Sequence, residues 1–259
     1  ITITILSTTL PSYYTSKNIM SKHAHDIMDN ISAFAIDKTK NYMNKAVDAV
    51  KLTQRLGRQH ILDNKNNKAL ELYFYDQLQL NKELSAIYFG KKNGDFIMVL
   101  RNKNGFMSRI ITNDEKNKRS VKTIFYDKSF KFLSENNKNR DYDPRQRPWY
   151  KLAKKNKEAI WTDPYVFFTL KQPGITTAAP FYDKDEKFQG VVGVDIQISE
   201  LSQFIGSLKL SKNSKVFIID KSLKIVTFPN IQTVHVDAKT SKTRILKIDE
   251  INDDVALTP

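Results

Sequence analysis

The tetrapeptide Arg-Pro-Trp-Tyr at 147–150 carries the residue types of a small-molecule pocket. An arginine presents a planar cation that grips a carboxylate through two parallel hydrogen bonds. Farther along the chain, Asp195 offers the opposite charge to an amine. Aromatic side chains at Trp149, Tyr150 and Tyr165 supply apolar walls with polar tips. These residue types favour a cavity that binds a zwitterion rather than one that transforms its ligand.

The residues after Arg147 predict that its guanidinium lies at the start of a helix. Pro148 is suited to the first helical position, and the spacing predicts a short helix through Asn156. The free N–H groups of a helix N-terminus favour an anion, as the guanidinium does. The alternative is that Arg147 caps a loop and Trp149 is a core residue.

Asp195 lies in a segment with the period-two pattern of a strand. Its apolar residues share one face: Val192, Val194, Ile196 and Ile198. Asp195 lies on the other face beside Gly193, which leaves room for a close approach to the backbone. A buried carboxylate without a partner is costly. We therefore expect Asp195 to meet a ligand amine or to form a salt bridge with Arg147 or Lys171.

The order Tyr142-x4-Arg147-x-Trp149-Tyr150, followed by Tyr165 and Asp195, resembles the amino-acid-binding motif of the double Cache sensor domains of bacterial receptors. The resemblance covers roughly 84–229. It includes three further segments: Trp161-Thr162-Asp163-Pro164-Tyr165, Pro173-Gly174-Ile175-Thr176 and Gly190-Val191-Val192-Gly193-Val194-Asp195.

The resemblance implies a periplasmic sensor with two PAS-like modules on one long helix, which binds its ligand in the membrane-distal module. Arg147 and Trp149 would hold the ligand carboxylate and Asp195 the amine. The other implied ligand contacts are Tyr142, Tyr150 and Tyr165; Phe167, Phe168, Thr169 and Thr176 are open candidates for the specificity side. The implied receptor is a homodimer anchored in the bacterial inner membrane by flanking transmembrane helices. A chemotaxis module, a histidine kinase or a nucleotide cyclase such as a diguanylate cyclase would follow.

Helical spacing of apolar residues extends over 12–62, where Gly57 is the only glycine and proline is absent. A helix of this length is about 75 Å long. We predict a spine helix at 11–62. The uncharged residues 1–10 are interpreted as the remnant of a transmembrane helix, with a short surface strand as the alternative.

Strand signals follow the spine helix and predict an α+β fold. The dipeptides Asn93-Gly94 and Asn104-Gly105 indicate hairpin turns in an antiparallel sheet of about five strands. We assign residues 63–200 to a membrane-distal module that binds the ligand. Residues 201–259 form a membrane-proximal module, small or truncated, which begins with a connecting helix and a second hairpin.

Composition narrows the remaining function classes. The net charge of +14 raises the possibility of nucleic acid or an anionic membrane as partner, but the lysines are scattered and no nucleic-acid motif is present. With 4 histidines and 0 cysteines, thiol catalysis is excluded and a zinc site is poorly supplied. No phosphate loop, dinucleotide fingerprint or nucleophile elbow occurs, so we predict no cofactor and no enzyme.

Two rival functions stay open. A basic adhesion or membrane-surface protein would explain the net charge, and it predicts a contiguous Lys/Arg face without an enclosed pocket by Arg147. A hydrolase would need paired carboxylates in a cleft. Asp141 and Asp143 are the only close pair near the motif, and their spacing is that of turn residues.

Overall fold

The computed structural model describes residues 2–113, 119–137, 141–208, 216–220, 222–228, 234–236 and 243–251. Four α-helices lie within these ranges: α1 (Thr2–Arg58), α2 (Asn67–Leu80), α3 (Pro148–Asn156) and α4 (Ile198–Ser207). The strands are β1 (Ala86–Lys91), β2 (Phe96–Asn102), β3 (Gly105–Asn113), β4 (Arg119–Tyr126), β5 (Phe132–Asn136), β6 (Ile160–Trp161), β7 (Tyr165–Val166), β8 (Pro173–Tyr182), β9 (Phe188–Gln197), β10 (Ile218–Ile219), β11 (Ile225–Thr227), β12 (Val234–Val236) and β13 (Thr243–Ile245).

One antiparallel sheet of nine strands dominates the fold, in the order β5-β4-β3-β2-β1-β9-β8-β6, with β7 also paired to β8. The sequence predicted about five strands, which is wrong. Strands β4 and β5 lie in a stretch whose sequence shows no clear strand pattern, and β6 and β7 have only 2 residues each, too few to show alternation. The α+β class with a long N-terminal helix is confirmed.

The sheet has a helix side and a cavity side. On the helix side it packs against α1, α2 and α4, in a core that includes Ala46, Phe74 and Leu201. On the other side it packs against α3, through Trp149 and other buried residues. Strand β9 divides the two cores because its side chains alternate: Val192, Val194 and Ile196 lie on the helix side, and Val191 and Asp195 lie on the cavity side.

Both ends of helix α1 lie earlier in the chain than those of the predicted spine helix. It continues through Pro11 and ends at Arg58 rather than residue 62. Its end is closed by a backbone hydrogen bond from Leu62 N to Leu56 O at 3.1 Å, next to His60 with a left-handed φ of 60°. The strand alternative for residues 1–10 is wrong, since residues 2–10 are helical. Within the described ranges, no helix combines the length and hydropathy needed to cross a bilayer.

Helix α2 was not predicted. Asn66 caps its start, where the side-chain oxygen accepts a hydrogen bond from Ala69 N at 3.0 Å. Leu70, Phe74 and Leu78 follow at the spacing of one helix face and are fully buried under the sheet. This spacing is a signal from which the helix could have been predicted.

The second predicted hairpin forms from β10 and β11 and is separate from the large sheet. A small core with Ile225, Phe228 and Ile251 covers it. Strands β12 and β13 form another two-stranded sheet. The rest of the predicted membrane-proximal module, residues 209–215, 221, 229–233, 237–242 and 252–259, lies outside the described residues. The boundary predicted at residue 201 falls inside α4 and stays a prediction.

Candidate functional site

Arg147 lies at the N-cap of α3, and Pro148 occupies the first helical position, as the sequence predicted. The Arg147 side chain makes no capping hydrogen bond to its own helix. Its guanidinium instead lies 5.8 Å from the ring centroids of both Tyr165 and Phe168. One nitrogen, Nη2, donates to the carbonyl oxygen of Val166 at 3.5 Å. The cation is therefore half-buried under aromatic rings and faces the segment after β6.

Asp195 is buried, and two hydroxyl groups hold its carboxylate. Tyr88 Oη and Thr176 Oγ1 each donate to Asp195 Oδ1 at 2.6 Å. Tyr165 Oη lies 2.8 Å from Thr176 Oγ1, and because Thr176 donates its only proton to Asp195, Tyr165 is the donor. The expected salt bridge does not form: in the part of the chain that the structure describes, Asp195 pairs with neither Arg147 nor Lys171.

The surroundings of Asp195 set its protonation. Burial raises the pKa of this carboxyl to about 7, although the hydrogen bonds from Thr176 and Tyr88 and the charge of Arg147 lower it. Burial, followed by the charge of Asp195, raises the pKa of Tyr165 well above its usual value, so this phenol stays a donor. Near neutral pH Asp195 is therefore close to its pKa, and a cation placed beside it would favour the ionised carboxylate.

Gly193 explains how Tyr88 reaches Asp195. A Cβ atom at Gly193 would lie 2.3 Å from Tyr88 Cε2, so only glycine leaves space for the ring. The close approach that the sequence indicated at Gly193 is therefore made by a side chain of β1. Strand β1 pairs with β9 in the register Tyr88↔Gly193. The sequence did not predict Tyr88 as a site residue, because the pairing of β1 with β9 joins segments that are far apart in the chain.

A cavity of ≈ 30 Å³ separates Arg147 from Asp195. Tyr88, Leu100, Tyr142 and Trp149 contribute to its lining. One short segment covers it with five side chains: Tyr165, Phe167, Phe168, Thr169 and Leu170. This volume holds about one water molecule, whereas small-molecule sites are about 300 Å³ or larger.

The structure brings five of the six predicted site residues to this cavity, namely Tyr142, Arg147, Trp149, Tyr165 and Asp195. The sixth, Tyr150, lines a separate surface cleft. That cleft also contains Lys92, Arg145, Lys151, Lys154, Lys155 and Phe188. Tyr150 and Trp149 point to different sites because they are consecutive residues of a helix. The cleft is a basic surface, and the adhesion interpretation stays a prediction.

Arg109 on β3 is a second arginine on the cavity side and was not predicted. It is 5% exposed, and its Nη1 donates to Thr169 Oγ1 at 2.8 Å. A charged residue inside a strand, between Ser108 and the apolar pair Ile110-Ile111, was the available signal. Within the described residues, no three His, Asp or Glu side chains are placed to hold a metal ion.

Comparison with known proteins finds a family model that matches part of the chain. Residues 97–203, which contain α3, β8 and β9, match the family model for the first PDC sensor domain of methyl-accepting chemotaxis protein-like proteins. This segment is therefore similar to the sensor domains of chemoreceptors. The resemblance to Cache-type sensors is therefore confirmed.

The chain is also similar to part of a whole receptor. The chain is 25% identical over 235 residues to the methyl-accepting chemotaxis protein McpB of Bacillus subtilis, covering 89% of this chain and 30% of McpB. The chain thus spans less than a third of this curated relative.

Solved structures share the fold of this chain. One is the ligand-binding domain of the Campylobacter jejuni chemoreceptor Tlp3 in complex with L-valine, with a TM-score of 0.55, 19% identity, and coverage of 86% of this chain and 77% of that one. Another is the ligand-binding domain of the Pseudomonas aeruginosa PAO1 amino acid chemoreceptor PctB in complex with L-Arg, with a TM-score of 0.55, 21% identity, and coverage of 81% and 72%.

Proposed function

We propose that the chain is the extracytoplasmic sensory part of a transmembrane chemoreceptor and binds an amino acid or a related amine. Residues 63–200 form the membrane-distal module that holds the ligand, and residues from 201 onward belong to a membrane-proximal module. The protein acts as a homodimer in the inner membrane. The complexes of the Tlp3 domain with L-valine and of the PctB domain with L-Arg support this choice of ligand class.

One observation carries the proposal: Arg147 and Asp195 line the same cavity without pairing with each other. Two opposite charges held apart match the two charges of a zwitterion. Arg147 and Trp149 receive the carboxylate at the start of α3, where the helix dipole adds to the attraction. Asp195 receives the ammonium group, and Tyr142 and Tyr165 complete the walls.

Ligand entry requires the covering segment 165–170 to move, because the cavity volume of ≈ 30 Å³ is too small for an amino acid. Hydrogen bonds hold this segment to the rest of the domain, among them those between Tyr165 and Thr176 and from Arg109 to Thr169. They include the one from Arg147 to Val166 at 3.5 Å and the short pairing of β7 with β8. A carboxylate that bound Arg147 would compete with its contact to Val166. Binding and movement of the segment are therefore coupled.

The ligand signal passes through β8 and β9 to the spine helix α1. Asp195 lies on the cavity side of β9, and its neighbours Val194 and Ile196 lie in the core with α1. Strand β8 is tied to the helix directly, since Gln54 Nε2 donates to the carbonyl oxygen of Pro180 at 2.6 Å. A shift of these strands displaces α1 by about 1–2 Å, the size of helix shifts in signalling proteins.

A thermal-shift screen of the purified domain against the common amino acids and small amines tests the ligand class, because a ligand that binds the folded state raises Tm. Any hit is repeated by calorimetry with Arg147→Ala and Asp195→Ala. Loss of a charge-assisted contact weakens binding about tenfold or more. The matched controls are Arg145→Ala, an exposed arginine paired with Asp143, and Asp185→Ala in an exposed turn. A folded domain that binds no amino acid or amine, or whose hit survives both substitutions, would refute the proposal.

A further inference from the structure

We propose that Leu100 and Leu170 form the subsite for the ligand side chain, and that the preferred ligand is an amino acid with an aliphatic side chain, such as leucine, isoleucine, valine or methionine. This inference rests on the proposed function, because it assigns the third attachment point of the same site. Arg147 and Asp195 account for the two charges that all α-amino acids share. The residues that distinguish one amino acid from another must lie elsewhere in the site.

Strand register places an apolar row beside Asp195 on the cavity side of the sheet. Asp195 of β9 pairs with Ala86 of β1, and Ala86 pairs with Leu100 of β2. Leu100 in turn pairs with Met107 of β3. Residues paired across neighbouring strands share one face of a sheet, and Ala86, Leu100 and Met107 all lie in the core on the cavity side. From Asp195 toward β3, the side chains of this row are therefore apolar.

The distances along this row fit an amino acid side chain. Leu100 lies two strand spacings from Asp195, which is about 10 Å across the sheet. Ala86 lies between them and projects only a methyl group above the sheet. Leu100 itself lines the cavity. A ligand whose ammonium group is bound by Asp195 thus has space to extend its side chain over Ala86 toward Leu100.

Leu170 bounds the same cavity on the side opposite the sheet. It belongs to the covering segment 165–170, lines the cavity together with Leu100, and packs against the core that contains Leu100. Phe167 of the same segment also lines the cavity. Its ring occupies the space above Gly174, where a Cβ atom would lie 2.0 Å from Cζ of the ring. Aliphatic and aromatic carbon therefore bounds the cavity from both the sheet and the covering segment.

Three of the hydroxyl groups at the cavity already have protein partners. Tyr88 and Tyr165 belong to the hydrogen-bond network of Asp195. Thr169 Oγ1 accepts a hydrogen bond of 2.8 Å from Arg109 Nη1. The polar atoms of these three lining residues are thus used within the protein, and their carbon atoms contribute to the walls.

This environment favours an aliphatic side chain over a polar or charged one. Among the lining residues that the structure describes, Arg147 and Asp195 are the only basic and acidic ones, and the proposed function assigns both to the groups shared by all amino acids. A charged or amide side chain directed toward Leu100 would lose its hydration without gaining a partner. Each CH₂ group of an aliphatic side chain that is buried there instead strengthens binding about fourfold.

Isothermal titration calorimetry of the wild-type domain tests the ranking with two sets of amino acids. The first set is L-leucine, L-isoleucine, L-valine and L-methionine, and the second is L-alanine, L-glutamate, L-glutamine and L-lysine. We expect the tightest ligand of the first set to bind at least about tenfold more tightly than every member of the second. Tightest binding by a member of the second set would overturn this inference and leave the proposed function intact. Absence of binding to all common amino acids and small amines would overturn both.

Substitutions of Leu170 test the covering side of the subsite. Leu170 is half-buried in a loop, so its substitution leaves the core of the sheet intact. Leu170→Ala should weaken binding of the tightest aliphatic ligand about fivefold or more, because apolar contact is lost, and should change binding of L-alanine less than about twofold. Leu133→Ala is the matched control, since Leu133 of β5 is 57% exposed. An unchanged ratio of the two affinities in Leu170→Ala would overturn the inference.

Substitutions of Leu100 test the sheet side. Leu100→Phe enlarges the side chain next to the ligand and should shift the preference from L-leucine or L-isoleucine toward L-valine or L-alanine. Leu100→Met keeps most of the volume and should retain the wild-type order. Leu100 is 3% exposed, so Tm is measured for each variant, and the Leu170 variants decide the question if Leu100→Phe does not fold. An equal loss of affinity for all amino acids in a folded Leu100→Phe domain would contradict a role in side-chain recognition.

Discussion

Thr176 Oγ1 donates a hydrogen bond of 2.6 Å to Asp195 Oδ1 across the paired strands β8 and β9. Tyr88 donates to the same oxygen from β1, on the other side of β9. Both neighbouring strands therefore orient one carboxylate. An acid held in this way keeps its direction whether or not a ligand is bound, which reduces the entropy lost on binding.

The raised pKa of Asp195 predicts that stability falls as pH rises from about 4 to about 7. In this window the folded carboxyl, with a pKa of about 7, keeps a proton that the unfolded chain, with a pKa near 3.8, releases. The effect approaches about 4 kcal/mol at about 1.4 kcal/mol per unit. Urea unfolding of wild type and Asp195→Asn at several pH values measures it, and the difference in free energy of unfolding between them should change across this window. Parallel pH profiles would contradict the raised pKa.

Proton release should accompany binding of an amine near pH 6. Below its pKa of about 7 Asp195 is mostly protonated, and a cationic ligand stabilises the ionised form. Affinity should therefore increase as pH rises from 5 to about 7. Calorimetry in two buffers of different ionisation enthalpy counts the protons. We expect release in wild type; no release would show that the ligand amine does not meet Asp195.

Thr176→Val should shift that pH dependence upward. Thr176 is fully buried, and valine keeps its shape but donates no hydrogen bond to Asp195. The ionised carboxylate loses stabilisation, so its pKa rises further. At pH 7 ligand affinity should fall about tenfold, and it should recover partly at pH 8. Thr177→Val is the matched control on the same strand; an affinity loss independent of pH would contradict the argument.

Gly57→Ala should destabilise the domain, although alanine normally stabilises a helix by about 1 kcal/mol relative to glycine. A Cβ atom at Gly57 would lie 1.7 Å from Cζ of the Phe181 ring. Either the ring or α1 must move, and such overpacking costs about 1–3 kcal/mol. Thermal unfolding compared with Lys51→Ala, an exposed site on the same helix, measures the effect. A higher Tm for Gly57→Ala would show that the helix and β8 are loosely packed here.

Local patterns allowed the main elements of the site to be predicted. Pro148 marked the start of α3, and alternation along β9 put Asp195 on the face opposite Val194. Both signals depend only on neighbouring residues. The ends of α1 were less predictable, because Pro11 does not interrupt the helix and a local turn at His60 ends it.

The missed parts of the site depend on pairing between distant strands. Tyr88 reaches Asp195 because β1 pairs with β9, and no local pattern specifies that partner. Arg109 reaches Thr169 of the covering segment from β3, which lies two strands beyond β1. Tyr150 was placed in the pocket with Trp149, although consecutive helix residues point in directions about 100° apart.

The alternation along β9 has a consequence for how such a domain diversifies. Its odd-numbered positions, such as Val191 and Asp195, lie on the cavity side, and its even-numbered positions, such as Val192 and Val194, pack against the helices. If the proposed function holds, substitutions at the first set would change ligand binding, and those at the second set would change the packing against α1. Ligand choice and signal output could then vary independently along one strand. A single-residue deletion in β9 would exchange the two sets and destroy both.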